Sequence, residues 1–329
     1  MFILYYALLL AHAPRFWPFF LGPGVIYTLE RVIREIRGRK MNTKVAAIKL
    51  HPSDVIEVRM QKKRFRYKPG QYLFLACPEL SRFEWHPFTI TSAPEEDFVS
   101  VHIRCVGDWT RGFAKVLAPE GSVRRKSLVL DKAVDAKGRA RVKLDGPFGA
   151  ASEDVFRFRV VILVGGGIGV TPFASILKSI RYRLEAGTGL GRLEKVYFFW
   201  TSRDQSAFEW FRQMLADLED QLAELNLSDF IVISIYLTGQ MKIEEIRRIT
   251  ETDLGADDPI TKLKSKTSFG RPRFDLIFST IRQAHQFHKV GVFFCGPKPL
   301  GASLEACCKE YSQEYDKYHV RFVWRKEIF

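Results

Sequence analysis

Between the apolar run Val160–Val164 and a proline lies the stretch Val164-Gly165-Gly166-Gly167-Ile168-Gly169-Val170-Thr171-Pro172, and it restricts the fold more than any other part of the chain. A continuous β-branched run bounded by glycine reads as a strand buried on both faces. Proline is at home in the first turn of a helix, where its missing N–H would have had no partner. The glycines between strand and helix let the backbone pass close to another surface, and the helix offers free N–H groups at its start. Together they suit the pyrophosphate of a nucleotide. A purely steric reading stays open here, because any tight strand-to-helix turn asks for glycine. The glycine spacing also differs from the commonest dinucleotide fingerprint, which points to another nucleotide-binding lineage.

The texture on either side of Gly149 is different. After it, strand-like runs alternate with helix-length segments: Val160–Val164, a helix after Pro172, Val196–Trp200, a helix through Phe208–Leu225, Phe230–Leu237, then Val290–Cys295 and Val320–Trp324. This alternation predicts a parallel sheet with helices on both faces over residues 153–329. Thr238 to Arg273 is the least regular part and reads as an insertion or long loop. Before Gly149, short alternating runs such as Val55–Met60, Gln71–Cys77 and Val99–Cys105, with Lys68-Pro69-Gly70 as punctuation, predict a small antiparallel β-barrel over residues 41–152. Pro119 to Arg141 is charged and weakly periodic, as expected of a surface excursion. The fold class is thus an antiparallel β-barrel followed by an α/β domain, with a short membrane-helical segment in front.

That segment is residues 1–40. Arg15 is the sole charged side chain before Glu30, and two apolar runs, Met1–Ala11 and Phe16–Leu29, flank it. Arg31, Arg34, Arg37, Arg39, Lys40 and Lys44 follow against Glu35, the bias of a cytosolic helix end. The second run is read as the last helix of a transmembrane region, which puts the rest of the chain on the cytosolic side of a membrane. A signal peptide, with Ala11-His12-Ala13 as its cleavage site, and a buried amphipathic helix are the alternatives. The formal charge of +14 fits phosphate ligands and this basic membrane end, so nucleic acid is not expected as a partner. Five cysteines, Cys77, Cys105, Cys295, Cys307 and Cys308, show neither metal-ligand spacing nor a disulfide framework, and no metal site is expected.

Two further segments carry chemistry. His86-Pro87-Phe88-Thr89-Ile90-Thr91-Ser92-Ala93-Pro94 groups an imidazole, an aromatic ring and hydroxyls at the start of a strand. His102-Ile103-Arg104, followed by Gly107-Asp108-Trp109-Thr110, offers a cation, a turn glycine and a hydroxyl to a phosphate. Either alone also suits an ordinary strand with a polar edge. With HPFTITSAPEEDF (His86–Phe98), HIRCVGDWT (His102–Thr110), DGPFGAASEDVF (Asp145–Phe156), GGGIGVTPFASIL (Gly165–Leu177), SRDQSAFEWF (Ser202–Phe211), GRPRFD (Gly270–Asp275) and CGP (Cys295–Pro297) in order, the chain resembles the ferredoxin-reductase superfamily and, within it, the NADPH oxidase family, over nearly its whole length.

The resemblance implies FAD and NADPH as cofactors. His86, Pro87, Phe88 and Thr89 would line the flavin, with Thr91 and His102 in the same set, and Arg104, Gly107, Trp109 and Thr110 would hold its diphosphate. Gly165, Gly166, Gly167, Ile168, Gly169, Thr171 and Pro172 would cradle the NADPH pyrophosphate. Arg203 and Arg271 would face the adenosine 2′-phosphate, and Cys295, Gly296 and Pro297 would sit beside the nicotinamide. Phe329 would shield the flavin as the family's aromatic chain end. The implied reaction is hydride transfer to flavin followed by one-electron steps towards haem and O2. It needs no side-chain nucleophile or general acid, so no catalytic residue is assigned. Haem is expected only in membrane helices upstream of Met1, and regulatory subunits are implied as partners. A ferric-chelate reductase of the same superfamily and a non-transporting short form that only binds nucleotide are the competing functions.

Overall fold

In the computed structural model the described residues are Ala7, Ala11, 17–40, 43–62, 64–118, 127–128, 142–239, 257–312 and 318–327. A helix, α1 (Trp17–Lys40), leads into strands β1 (Thr43–His51) and β2 (Val55–Lys62), then β3 (Tyr72–Ala76), β4 (His86–Thr89) and β5 (Val99–Arg104). Helix α2 (Asp108–Leu117) and strands β6 (Ser127–Leu128) and β7 (Lys143–Phe148) complete the first half. These strands form two antiparallel sheets, ordered β5-β2-β1-β6 and β4-β3-β7. The expected barrel is therefore built from two sheets, joined where Thr91 N–H donates to the Ser100 carbonyl at 2.8 Å and Ile90 bridges Val101. Alternation drives the closure: Ile56, Val58, Met60, Val101 and Ile103 turn inward to a core with Leu73, Leu75 and Phe113.

A short 3₁₀ segment, Ala151–Arg157, leads into the second half: β8 (Val160–Gly166), α3 (Thr171–Glu185), β9 (Lys195–Ser202), α4 (Glu209–Glu224), β10 (Ile231–Leu237), β11 (Ser268–Phe269), α5 (Phe274–Ala284), β12 (Lys289–Cys295), α6 (Lys298–Tyr311) and β13 (Arg321–Lys326). The sheet runs β11-β10-β9-β8-β12-β13, with its paired strands parallel. β8 and β12 are buried on both faces, and this explains their unbroken apolar sequence. One core forms under α3 and α4 around Trp200, Phe173 and Phe211, and a second under α5 and α6 around Phe278 and Phe294.

No helix among the described residues is long and apolar enough to cross a membrane. In α1 the described apolar part, Trp17–Leu29, covers about 20 Å at 1.5 Å per residue, short of a hydrocarbon core of about 30 Å. From Glu30 onward α1 carries charge at every turn, and this end lies on β7. Arg34 stands over the Phe74 ring at 4.5 Å, and Lys143 donates to Glu35 at 2.7 Å.

The two halves share an interface that the motif HPFTITSAPEEDF serves with its second part. Ser175 Oγ on α3 donates to the Ser92 carbonyl at 2.6 Å and Ser179 Oγ to Glu95 at 2.8 Å, while Lys178 faces Glu96 at 3.7 Å. At the β1–β2 turn, Ser53 Oγ bonds Asp204 and lies 2.7 Å from Ser206 Oγ.

Candidate functional site

In the parallel sheet the chain leaves β8 in one direction, for β9, and returns on the other side as β12. Ligands of open α/β sheets bind at the carboxyl strand ends where this reversal occurs. Cys295 pairs with Gly165 in the register of β12 and β8, so the glycine loop and Cys295-Gly296-Pro297 emerge side by side. Their backbones touch: a Cβ on Gly169 would lie 2.4 Å from the Cys295 carbonyl oxygen, and one on Gly166 would lie 2.6 Å from Pro297 Cδ. The steric demand for glycine is thus real, and it operates between the two loops that edge the cleft. Gly167 differs, with φ +58° and nothing near its missing Cβ, as expected of a residue facing the space a ligand would fill. Ile168 lies in the 3₁₀ turn Gly167–Val170 that leads into α3. Thr171 and Pro172 open α3 from buried positions, and Trp200 Nε1 donates to the Gly167 carbonyl at 3.1 Å, which fixes the loop from below.

Arg203 follows β9 directly and Arg271 stands two residues beyond β11; both are exposed. Leu237 of β10 pairs with Ser202 on one side and Phe269 on the other, so the two guanidinium groups belong to carboxyl ends of strands flanking β10. On the other side of the cleft, Glu327 N–H donates to the Phe294 carbonyl at 2.9 Å and its carboxylate accepts from Ser152 N–H at 2.6 Å. Burial pushes the Cys295 thiol up to about 12, with the Glu327 carboxylate adding to it. Burial also raises Glu327, against the Ser152 hydrogen bonds that favour its anion. The Cys295 thiol therefore stays protonated at the edge of the cleft. Glu327 escaped the sequence analysis because a lone acid after a strand looks like a solvated end.

On the antiparallel half, Trp109 gathers an aromatic group: His86 at 4.1 Å, Phe113 at 4.8 Å and Phe88 at 5.9 Å between ring centroids. His86 Nε2 and Trp109 Nε1 are buried without a hydrogen-bond partner, the Glu84 carboxylate standing 3.7 Å from His86 Nε2. Buried polar nitrogens are costly to leave unmet, so this pair marks a place where a ligand's acceptors fit. Pro87 and Thr89 lie on the same strand, β4, with Thr89 buried. Gly107 caps α2, its N–H bonded to Thr110 Oγ1 at 3.0 Å. The first-turn N–H groups of α2 then lie just past exposed Arg104 at the end of β5, a combination suited to a diphosphate. The sequence read this stretch as a turn; the structure makes it the start of a helix.

Thr91 and His102 do not join this group. Both are buried, with Thr91 Oγ1 2.8 Å from His102 Nδ1 and 2.9 Å from Ser100 Oγ. The His102 ring instead packs on Trp210 of α4 at 4.1 Å, so these residues serve the seam between the halves. Phe329 and His12 lie outside the described residues.

Comparison with known proteins accounts for both halves. A family described as FAD-binding domain matches residues 40–152, and one described as ferric reductase NAD binding domain matches residues 158–309. The chain is 44% identical to a superoxide-generating NADPH oxidase heavy chain of Dictyostelium discoideum, covering all of this chain and 63% of that protein. It is also 44% identical to human NADPH oxidase 3, over 96% of this chain and 54% of that one. It therefore spans between about half and two thirds of these relatives. A ferredoxin NADP+ reductase from Neisseria gonorrhoeae, solved with bound FAD and NADP, shares the fold at a TM-score of 0.54 and 14% identity, over 87% of this chain and 98% of that one. By its two matched domains and its full-length similarity, the chain belongs to the NADPH oxidase family and comprises its FAD- and NAD-binding dehydrogenase region.

Proposed function

We propose that this chain oxidises NADPH at bound FAD and delivers the electrons singly towards haem and O2, as the dehydrogenase portion of a superoxide-generating oxidase. The observation that carries the reading is the contact of the glycine loop with Cys295-Gly296 at the sheet's switch point, and the ring nitrogens of Trp109 and His86 on the antiparallel half, which lack hydrogen-bond partners, support the flavin. FAD, when bound, converts a two-electron hydride transfer into one-electron departures. His86, Pro87, Phe88, Thr89 and Trp109 form its apolar and hydrogen-bonding wall, and Arg104, Gly107 and Thr110 with the α2 N-terminus neutralise its diphosphate. Gly165 to Thr171 hold the NADPH pyrophosphate. Cys295, kept neutral, packs beside the nicotinamide without offering a competing thiolate.

Residues 41–152 and 153–329 are the two cofactor domains, and residues 1–40 approach a membrane whose cytosolic side carries both. The haem-bearing helices and any regulatory subunits belong to parts of the system outside these residues. The ferric-chelate alternative shares the NAD-binding domain, so it differs only in the final acceptor.

Arg203 and Arg271 set the preference for NADPH through charge-assisted bonds to the 2′-phosphate. Dye reduction by the purified, FAD-supplemented chain tests this. Arg203→Ala is expected to raise KM for NADPH about 10–100-fold while leaving NADH unchanged. Equal effects on both cofactors would refute the assignment.

A further inference from the structure

We propose that His51, Glu57 and His102 form a binding site for one divalent first-row transition ion, zinc in the first instance, at the seam between the antiparallel and parallel halves. The proposal is independent of the cofactor reading. In β2 and β5, Glu57 lies directly opposite His102, and His51 lies opposite Val55, one diagonal step from Glu57. The pleat sends all three side chains to the sheet's outer face, since the intervening Ile56, Val58 and Ile103 fill the barrel core. The α4 residue Trp210 covers that face. Side-chain exposure is 7% for His51 and 4% for each of the other two.

The ligand atoms already converge. Glu57 Oε2 is 3.4 Å from His51 Nε2 and 4.0 Å from His102 Nε2, and all three atoms lie within 4.8 Å of one another. Zinc bonds of about 2.0–2.2 Å place tetrahedral ligands about 3.3–3.6 Å apart, so small side-chain rotations close the set. The outer contacts are those of a metal centre. Thr91 Oγ1 lies 2.8 Å from His102 Nδ1, so with Nδ1 as the donor the Nε2 lone pair is left for an ion. Arg59 Nε donates to Glu57 Oε1 at 2.6 Å, so Oε2 is the oxygen turned inward.

Two imidazoles and a carboxylate suit zinc and leave a fourth position for water. Arg59 is paired with Glu57 Oε1 and Lys178 with Glu96, Lys49 lies directly across from Glu57 on β1 and is exposed, and these positive charges moderate the affinity. An ion here would fasten three strands beneath Trp210 and so stiffen the seam. Sequence spacing hid the cluster because its ligands come from three strands.

The test titrates the full chain, stripped with chelator, with ZnCl2 by calorimetry and with CoCl2 by visible absorbance. One ion per chain is expected, with the cobalt spectrum of a low-coordinate site and a melting temperature raised by zinc. His51→Gln, at the strand end, is expected to lower affinity at least about tenfold and abolish the thermal shift. Thr91→Val, which keeps every ligand, is expected to lower affinity about 10–100-fold. Absence of saturable binding near one equivalent in the wild type would overturn the proposal. So would equal affinity in a folded His51→Gln chain, which would assign the ion to surface histidines.

Discussion

Replacing Gly169 by alanine should damage turnover more than stability. The new Cβ would stand 2.4 Å from the Cys295 carbonyl oxygen, 2.7 Å from its carbonyl carbon and 3.0 Å from Gly296 N. Ordinary contacts of this kind begin at about 3.3 Å, so one loop must retreat by about 1 Å. Backbone at the end of a central strand cannot rotate out of the way as a flexible side chain can. Overpacking of this kind costs about 1–3 kcal/mol, which in a chain of this size lowers the melting temperature by about 1–4 °C. The same 1 Å displacement opens the glycine loop from Cys295-Gly296, and a misplacement of that order costs about 10²-fold in rate. Gly167→Ala is the control: its Cβ meets nothing, and only the φ of +58° is unfavourable, at about 1–2 kcal/mol. The assay is NADPH-dependent dye reduction with FAD, beside a thermal melt of each variant. The expected pattern is kcat down about 100-fold for Gly169→Ala at saturating cofactor, with Gly167→Ala losing comparable stability but far less kcat. A Gly169→Ala chain with wild-type melting and wild-type kcat would refute the loop contact.

Two further outcomes concern the other edge of the cleft. Cys295, raised to about 12 by burial and then by Glu327, is expected to escape iodoacetamide at about pH 8 in the native chain and to react on unfolding; mass spectrometry of the labelled peptide would expose the error if it alkylated natively. Glu327 is raised above its ordinary 4.5, burial being the larger cause. Its stabilising contribution is therefore complete below about pH 4.5 and is lost as pH rises through the folded value. Glu327→Gln keeps an acceptor for Ser152 N–H without the charge, so its melting temperature should gain on the wild type from about pH 5 to about pH 8, and a gain towards acid pH would contradict the sign.

Local pattern carried the strands well where burial follows the local rule. β8 and β12 are apolar throughout because helices cover both faces, and β5 alternates because Val101 and Ile103 face the barrel core. It failed where an outer face is covered by a distant element. The resemblance places His102 in the flavin set, yet Trp210, far along the chain, packs on it. It failed also at α2, where Gly107 read as a turn glycine and no helix was expected. The helix is held instead by its inward face, Phe113 and Leu117, against the barrel. The glycine loop was legible as a tight strand-to-helix turn, but its contact with Cys295 is set by strand order, which no spacing encodes. Similarly, Ser92, Glu95 and Glu96 looked like the tail of a flavin motif and in the fold grip α3.

The most direct test of the account is anaerobic mixing of the FAD-loaded chain with NADPH, following the flavin absorbance by stopped flow. The account predicts saturable bleaching that is slowed by Gly169→Ala and much weaker with NADH at equal concentration. A chain that binds both FAD and NADPH but leaves the flavin oxidised would contradict it.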